Sequence, residues 1–111
     1  MHTLIYVMKR KPGMSLEQFL AHYRDVHGPL VRANLPGIVS YMHYPIRETT
    51  KGDLHAAAPE YDAVSIYTFA SSEAAEAAWN APTAAVVQED SAKFLDFDTL
   101  ITLPVDVRQV V

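Results

Sequence analysis

Four short runs of this chain repeat with a two-residue period, and helical periodicity fills only the gap between the first and second and that between the third and fourth. Few topologies satisfy that order. His2 to Lys9 puts Leu4, Tyr6 and Met8 on one face and Ile5 and Val7 on the other. Ile38 to Arg47 opposes Val39, Tyr41 and His43 to Ser40, Met42 and Tyr44, and Pro45 pushes the far end toward a sheet edge or a bulge. Tyr61 to Ala70 opposes Ala63, Ser65, Tyr67 and Phe69 to Asp62, Val64, Ile66 and Thr68. Thr99 to Leu103 is the fourth strand, and Val105 to Val111 either extends it or reaches a partner.

The first helix starts at a capping box, Ser15 with Gln18, after the Pro12-Gly13 turn, and continues to about Ala33 before Pro36-Gly37. Ser71-Ser72-Glu73 opens a second helix that ends near Trp79-Asn80, and a third runs from Pro82 to about Leu95 with Val86, Val87 and Phe94 on its apolar side. Strand, helix, strand, strand, helices, strand is the split βαβ pattern: an α+β, ferredoxin-like βαββαβ sandwich with a four-stranded antiparallel sheet. Its helices cover one sheet face, yet both faces carry apolar side chains. A homodimer packing sheet to sheet into an α/β barrel satisfies the second face. A lid from the 48–60 loop is the alternative, but that loop is too polar to cover a sheet.

A chain of 111 residues, half of them hydrophobic, suits one domain over residues 1–111 with a core that needs no staples. It has no cysteine, which removes disulfides and thiol catalysis. A net charge of −4, with no basic run longer than Lys9-Arg10-Lys11, argues against nucleic acid as a partner. No apolar run approaches a membrane span, and the amino terminus has no signal-peptide layout, so a soluble cytoplasmic protein is expected.

Within this frame His27-Gly28-Pro29-Leu30 is the segment most suggestive of chemistry. With Phe19 at zero and about 100° per residue, Leu30 falls at about 20°, Tyr23 at about 40°, Leu16 at about 60° and Val26 at about −20°. His27, at about 80°, sits inside that apolar stripe, whereas His22, at about −60°, lies away from its centre. Gly28 and Pro29 predict a pause or turn in the helix there. His27 then either caps a helix end or faces a small molecule as an acid/base group, since an imidazole exchanges a proton near neutrality. Tyr6 and Tyr67 share the helix-facing side of the sheet with it, as core packing or as phenols that hydrogen-bond a carbonyl or enolate oxygen. Asp62 orients an imidazole or pairs with Arg24, Arg32 or a chain terminus. Strand parity places His43 on the opposite face, in a dimer interface, unless a bulge rotates the strand. No metal-ligand spacing stands out, and there is no Gly-rich phosphate loop, nucleophile elbow or dinucleotide fingerprint. The expectation is therefore no metal and no cofactor.

The run Lys11-Pro12-Gly13-Met14-Ser15, followed by Phe19, Tyr23, His27-Gly28-Pro29-Leu30, Pro36-Gly37, Tyr41, Tyr61-Asp62-Ala63-Val64 and Phe69-Ala70-Ser71, resembles the EthD family of the dimeric α/β-barrel superfamily. The resemblance implies a homodimer with a small-molecule pocket between helices and sheet in each protomer, with His27 as the best candidate for proton transfer beside Tyr6 and Tyr67. Phe19, Tyr23, Ser65, Asp62, His43, His55 and Trp79 are the candidate substrate contacts; His55 lies in the 48–60 loop, as does a histidine of the related muconolactone methylisomerases. Tyr67 stands where those isomerases carry a cysteine, so a thiol role is lost. Leu4, Ala63 and Ala84 stand where polyketide cyclases of the superfamily carry histidines, which argues against the cyclase mechanism. Three functions follow: a cofactor-independent lyase or isomerase acting on an aromatic or lactone-like substrate, an oxidoreductase or accessory protein with a monooxygenase partner, and a non-catalytic binding module.

Overall fold

The computed structural model describes residues 1–54, 56 and 59–111. Its elements are β1 (His2–Met8), α1 (Leu16–His22), a π turn (Tyr23–His27), α2 (Gly28–Asn34), β2 (Ile38–Pro45), β3 (Ala63–Phe69), α3 (Ser72–Asn80), α4 (Ala84–Phe94) and β4 (Ile101–Val105). The strands form one antiparallel sheet in the order β2-β3-β1-β4, the ferredoxin-like arrangement. Both prolines within strands, Pro45 and Pro104, fall on the two edge strands, where a missing N–H costs no ladder bond to a further strand.

Strand parity sets the layers. Leu4, Tyr6 and Met8 of β1 and Ala63, Ser65, Tyr67 and Phe69 of β3 face the helices, and the β3 set is buried throughout. On the open face Ile5 pairs with Ile66 and Leu103, and Met42 pairs with Ile66. Met42, Tyr44 and Leu103 are exposed there. β4 extends two residues beyond Leu103, to Val105.

Both predicted caps form. The Ser15 hydroxyl accepts from the Gln18 amide while the Gln18 side chain accepts from the Ser15 amide, and Ser71 accepts from the amide of Ala74. The pause expected at Gly28-Pro29 takes the form of a widened turn, not a break. Leu16 to Asn34 is continuous, and the chain absorbs Pro29 by widening the preceding turn: the Gly28 N–H donates to the Tyr23 carbonyl, five residues back. Proline has no N–H for the carbonyl four residues earlier and its ring crowds that carbonyl, so a looser turn relieves both problems.

That widened turn also changes which side chains are buried. Phe19, Tyr23, His27 and Val31 line the interior at a constant spacing of four, whereas Leu16 and Val26, which an ideal wheel puts near the stripe, are exposed. In a regular α-helix a four-residue step drifts by about 40°, and the slower rotation of the π turn offsets that drift. On α4 the expected apolar side holds for Val87 and Phe94 but not for Val86, which is exposed.

Two buried clusters form the interior. One joins Val31, Leu35, Tyr67, Phe69 and Val87, and the other joins Met8, Phe19, Tyr23, Phe94 and Leu95. Tyr6 packs against both.

Candidate active site

A cavity of about 260 Å³ lies where those clusters meet, with His27, Tyr6, Tyr67 and Trp79 in its wall beside Met8, Leu95 and Leu100. A dry cavity of roughly 150 Å³ holds a benzene-sized ring, so this one suits a single ring with one or two small substituents. The π turn delivers His27 to it, and β1 and β3 deliver Tyr6 and Tyr67 from adjacent strands. The two phenol rings meet edge to face with centroids 5.1 Å apart.

His27 is buried, and its Nδ1 lies 2.8 Å from Oδ2 of Asp90, itself buried on α4. An ionised carboxylate has lone pairs and no proton, so Nδ1 donates and Nε2 is left as the basic nitrogen. Burial pulls the His27 pKa below its ordinary value; the Asp90 carboxylate opposes that shift and the nearby His22 ring adds to it. His27 is thus a neutral base held in one tautomer. Burial pushes the phenols of Tyr6 and Tyr67 up, so both stay protonated at neutral pH and can only donate to an oxyanion. Trp79 contributes an indole N–H that is buried without a hydrogen-bond partner among the described residues.

His22 joins the same carboxylate, with Nε2 at 2.9 Å from Oδ1 and 3.0 Å from Oδ2 of Asp90. Regular helix arithmetic sets residues five apart at about 140°, which separates the two histidines. A turn closed by a five-residue hydrogen bond brings them to the same side instead. The helix-capping alternative for His27 fails for the same reason: its ring bonds a carboxylate on another helix, in the middle of a continuous helix. Asp90 escaped the sequence reading. Its signal is an acidic residue in the row Ala84, Val87, Asp90 and Phe94, all of them buried.

Several expected contacts lie away from the cavity. Phe19 is fully buried in the core, its ring 5.5 Å from that of Phe94. Tyr23 and Ser65 hydrogen-bond each other through their hydroxyls, one strut from the helix to β3. Asp62 pairs with Arg10, accepting from its amide at 2.7 Å and from its guanidinium at 3.2 Å, and not with Arg24, Arg32 or a terminus. Arg24 instead pairs with Asp25. His55 lies outside the described residues.

His43 is on the helix side of the sheet, not in the open face. β2 slips register between Ile38 and Ser40, and this bulge at exposed Val39 rotates the strand so that Tyr41 and His43 face inward opposite Tyr67 and Ser65. The His43 ring stacks on Tyr23 at 3.7 Å and 8°. A methyl at Gly28 would come within 3.1 Å of it, so glycine lets helix and imidazole approach. Burial, with a further push from His27, lowers the His43 pKa to about 4. The unfolded chain therefore takes up a proton below about pH 6.5 that the folded state refuses until about pH 4. Stability conferred by neutral His43 is present above that window and is lost as pH falls through it, and urea titrations of a His43→Phe variant should show a shallower acid decline than the wild type.

The sequence profile of the EthD domain matches residues 11–98. The chain belongs to the EthD family. Similar solved structures include an ethyl tert-butyl ether D (EthD) family protein of Bacillus halodurans C-125, 17% identical, with a TM-score of 0.75 over 97% of this chain and 100% of that one. An EthD-like protein of Ralstonia eutropha JMP134 is 23% identical with a TM-score of 0.70, covering 99% of this chain and 93% of its own. A dimeric ferredoxin-like protein of unknown function from Jannaschia sp. CCS1 is 17% identical, with a TM-score of 0.67 over 96% and 98% of the two chains. At these identities the likeness is one of fold. No curated protein matches the chain.

The EthD match spans the helix that carries His22 and His27, the β3 strand that carries Tyr67 and the helix that carries Asp90, and it begins after Tyr6. Among the described residues of this EthD chain, no group of three or more His, Cys, Asp or Glu side chains is placed to hold a metal ion, and no helix is long and apolar enough to cross a membrane.

Proposed function

We propose that this EthD chain, as a single domain over residues 1–111, is a cofactor-independent lyase or isomerase for a small aromatic or lactone-like compound, with His27 as its acid/base group. The observation that carries this reading is a buried histidine fixed through Nδ1 by Asp90 at the wall of a ring-sized cavity. His27 Nε2 takes a proton from a carbon next to a carbonyl, and the positive ring is balanced by Asp90. Tyr6 or Tyr67 donates to the enolate oxygen as charge develops there. Returning the proton to a different carbon gives isomerisation, and loss of a leaving group from the enolate gives elimination. Met8, Trp79, Leu95 and Leu100 line the cavity beside these groups and lower the local dielectric, which strengthens each of these interactions.

The open sheet face, with Ile5, Ile66, Met42 and Leu103, packs on a second copy of the chain. The Jannaschia relative is described as dimeric, in keeping with this arrangement.

Incubation in deuterium oxide with a panel of enolisable aromatic ketones and lactones tests the reading. Deuterium should enter carbon next to the carbonyl of at least one compound without any added cofactor. Conversion that requires a redox cofactor or a monooxygenase would oppose it.

A further inference from the structure

The reaction proposed above uses His27 and gives Asp90 an orienting part, and it leaves His22 unused. Yet the side-chain partners of the Asp90 carboxylate among the described residues are these two imidazoles, His27 on Oδ2 and His22 across both oxygens. They differ in exposure. The His22 side chain keeps 22% of its surface, against 4% for His27 and 3% for Asp90. His22 also borders a surface depression shared with Met14, Gln18 and Asp25, so it links the buried pair to solvent.

We propose that His22 is the solvent-side member of a His27–Asp90–His22 triad, a positioning residue that shares the single negative charge of Asp90 with His27 and so sets how basic His27 is. This rests on the reading of His27 as the acid/base group. Because an ionised carboxylate only accepts, both nitrogens facing it carry hydrogen: Nδ1 of His27 and Nε2 of His22. One basic nitrogen then remains at each end, Nε2 of His27 on the inner ring and Nδ1 of His22 on the outer one. If either ring gains a proton, Asp90 balances it. If both do, one uncompensated positive charge stays in a buried site. The two rings therefore compete for one proton, and their titrations belong to the pair.

Among the described residues, the other titratable groups around the triad are His43 and Tyr41 of β2, Tyr67 of β3 and Tyr6 of β1 on the inner side, and Asp25 with its partner Arg24 on the outer side. Arg24 and Asp25 neutralise each other, and the phenols stay protonated. His43 is neutral above its depressed pKa, so around neutrality the charge on Asp90 is divided between His22 and His27 alone.

Nitrogen–proton correlation spectra of the histidine rings, recorded across pH on the full ligand-free chain and on His22→Gln, test this. Glutamine keeps an N–H toward Asp90 but cannot become charged. In the wild type the His27 ring should titrate in more than one step; in His22→Gln it should titrate in a single step, moved to higher pH. An unchanged His27 curve overturns the proposal. The wild-type tautomers give a second reading that survives if the variant does not fold: His22 should carry its hydrogen on Nε2, and finding it on Nδ1 alone overturns the proposal as well. Neither readout needs a substrate, so a failure here is separable from a failure of His27 in turnover.

Discussion

Replacing His27 with alanine should slow deuterium exchange, or turnover of any compound the protein converts, by about 10² to 10⁴-fold. The range is that of a positioned general base, and here the position is unusually well determined. Nδ1 is held at 2.8 Å by Asp90, and the ring leans on Phe94 with centroids 4.7 Å apart. Losing the ring removes the proton acceptor but leaves the cavity, Tyr6 and Tyr67, so substrate binding should change far less than the rate. Circular dichroism checks that the variant is folded, and His27→Gln, which fills more of the space, should be as slow. Free imidazole should restore part of the rate in the alanine variant by entering the vacated space. A folded variant with undiminished turnover would remove His27 from the chemistry.

Phe94→Ala should lower unfolding stability by about 3–5 kcal/mol, measured as a shift of the urea midpoint at constant slope. Phe94 is fully buried, with ring centroids 5.5 Å from Phe19, 6.0 Å from Tyr23, 4.9 Å from His22 and 4.7 Å from His27. These neighbours sit on one long helix while Phe94 ends another, so neither side can collapse into the gap without moving a helix. Against a total of about 5–15 kcal/mol for a domain, that loss should leave part of the population unfolded on mild warming. The same ring is the wall behind both histidines. Turnover should therefore fall in Phe94→Ala even under conditions where it is folded, and Phe94→Leu should recover most of the stability. A loss of under about 1 kcal/mol would mean that the aromatic cluster is not the support described.

The sheet was legible because strands alternate: each has one row of side chains against the helices, and in β3 that row, Ala63 to Phe69, is buried without exception. The capping serines were legible because their chemistry is local. Where the sequence misled, a regular period had been assumed and the chain departs from it. A bulge at Val39 turned His43 inward, and a π turn brought His22 and His27 to one carboxylate. The bulge leaves no mark in a hydrophobic pattern, since it costs only one residue of phase, whereas the π turn is marked by Pro29 and by the four-residue spacing of Phe19, Tyr23, His27 and Val31. Asp90 was missed for a different reason. An aspartate on an amphipathic helix ordinarily faces water, and only its place in the row from Ala84 to Phe94 distinguishes it. The EthD resemblance was legible from spaced residues along most of the chain, and it points to His27 without naming the partner that holds it.

The proposed function requires substrate to sit in the cavity against His27, and a crystal structure with a compound that exchanges deuterium decides whether it does. The ring should lie between Tyr6, Tyr67 and Trp79, with its acidic carbon facing His27 Nε2 and its carbonyl oxygen about 2.6–3.2 Å from a tyrosine hydroxyl. A compound bound instead in the open groove between Arg32 and His43, with the cavity at His27 empty, would contradict it.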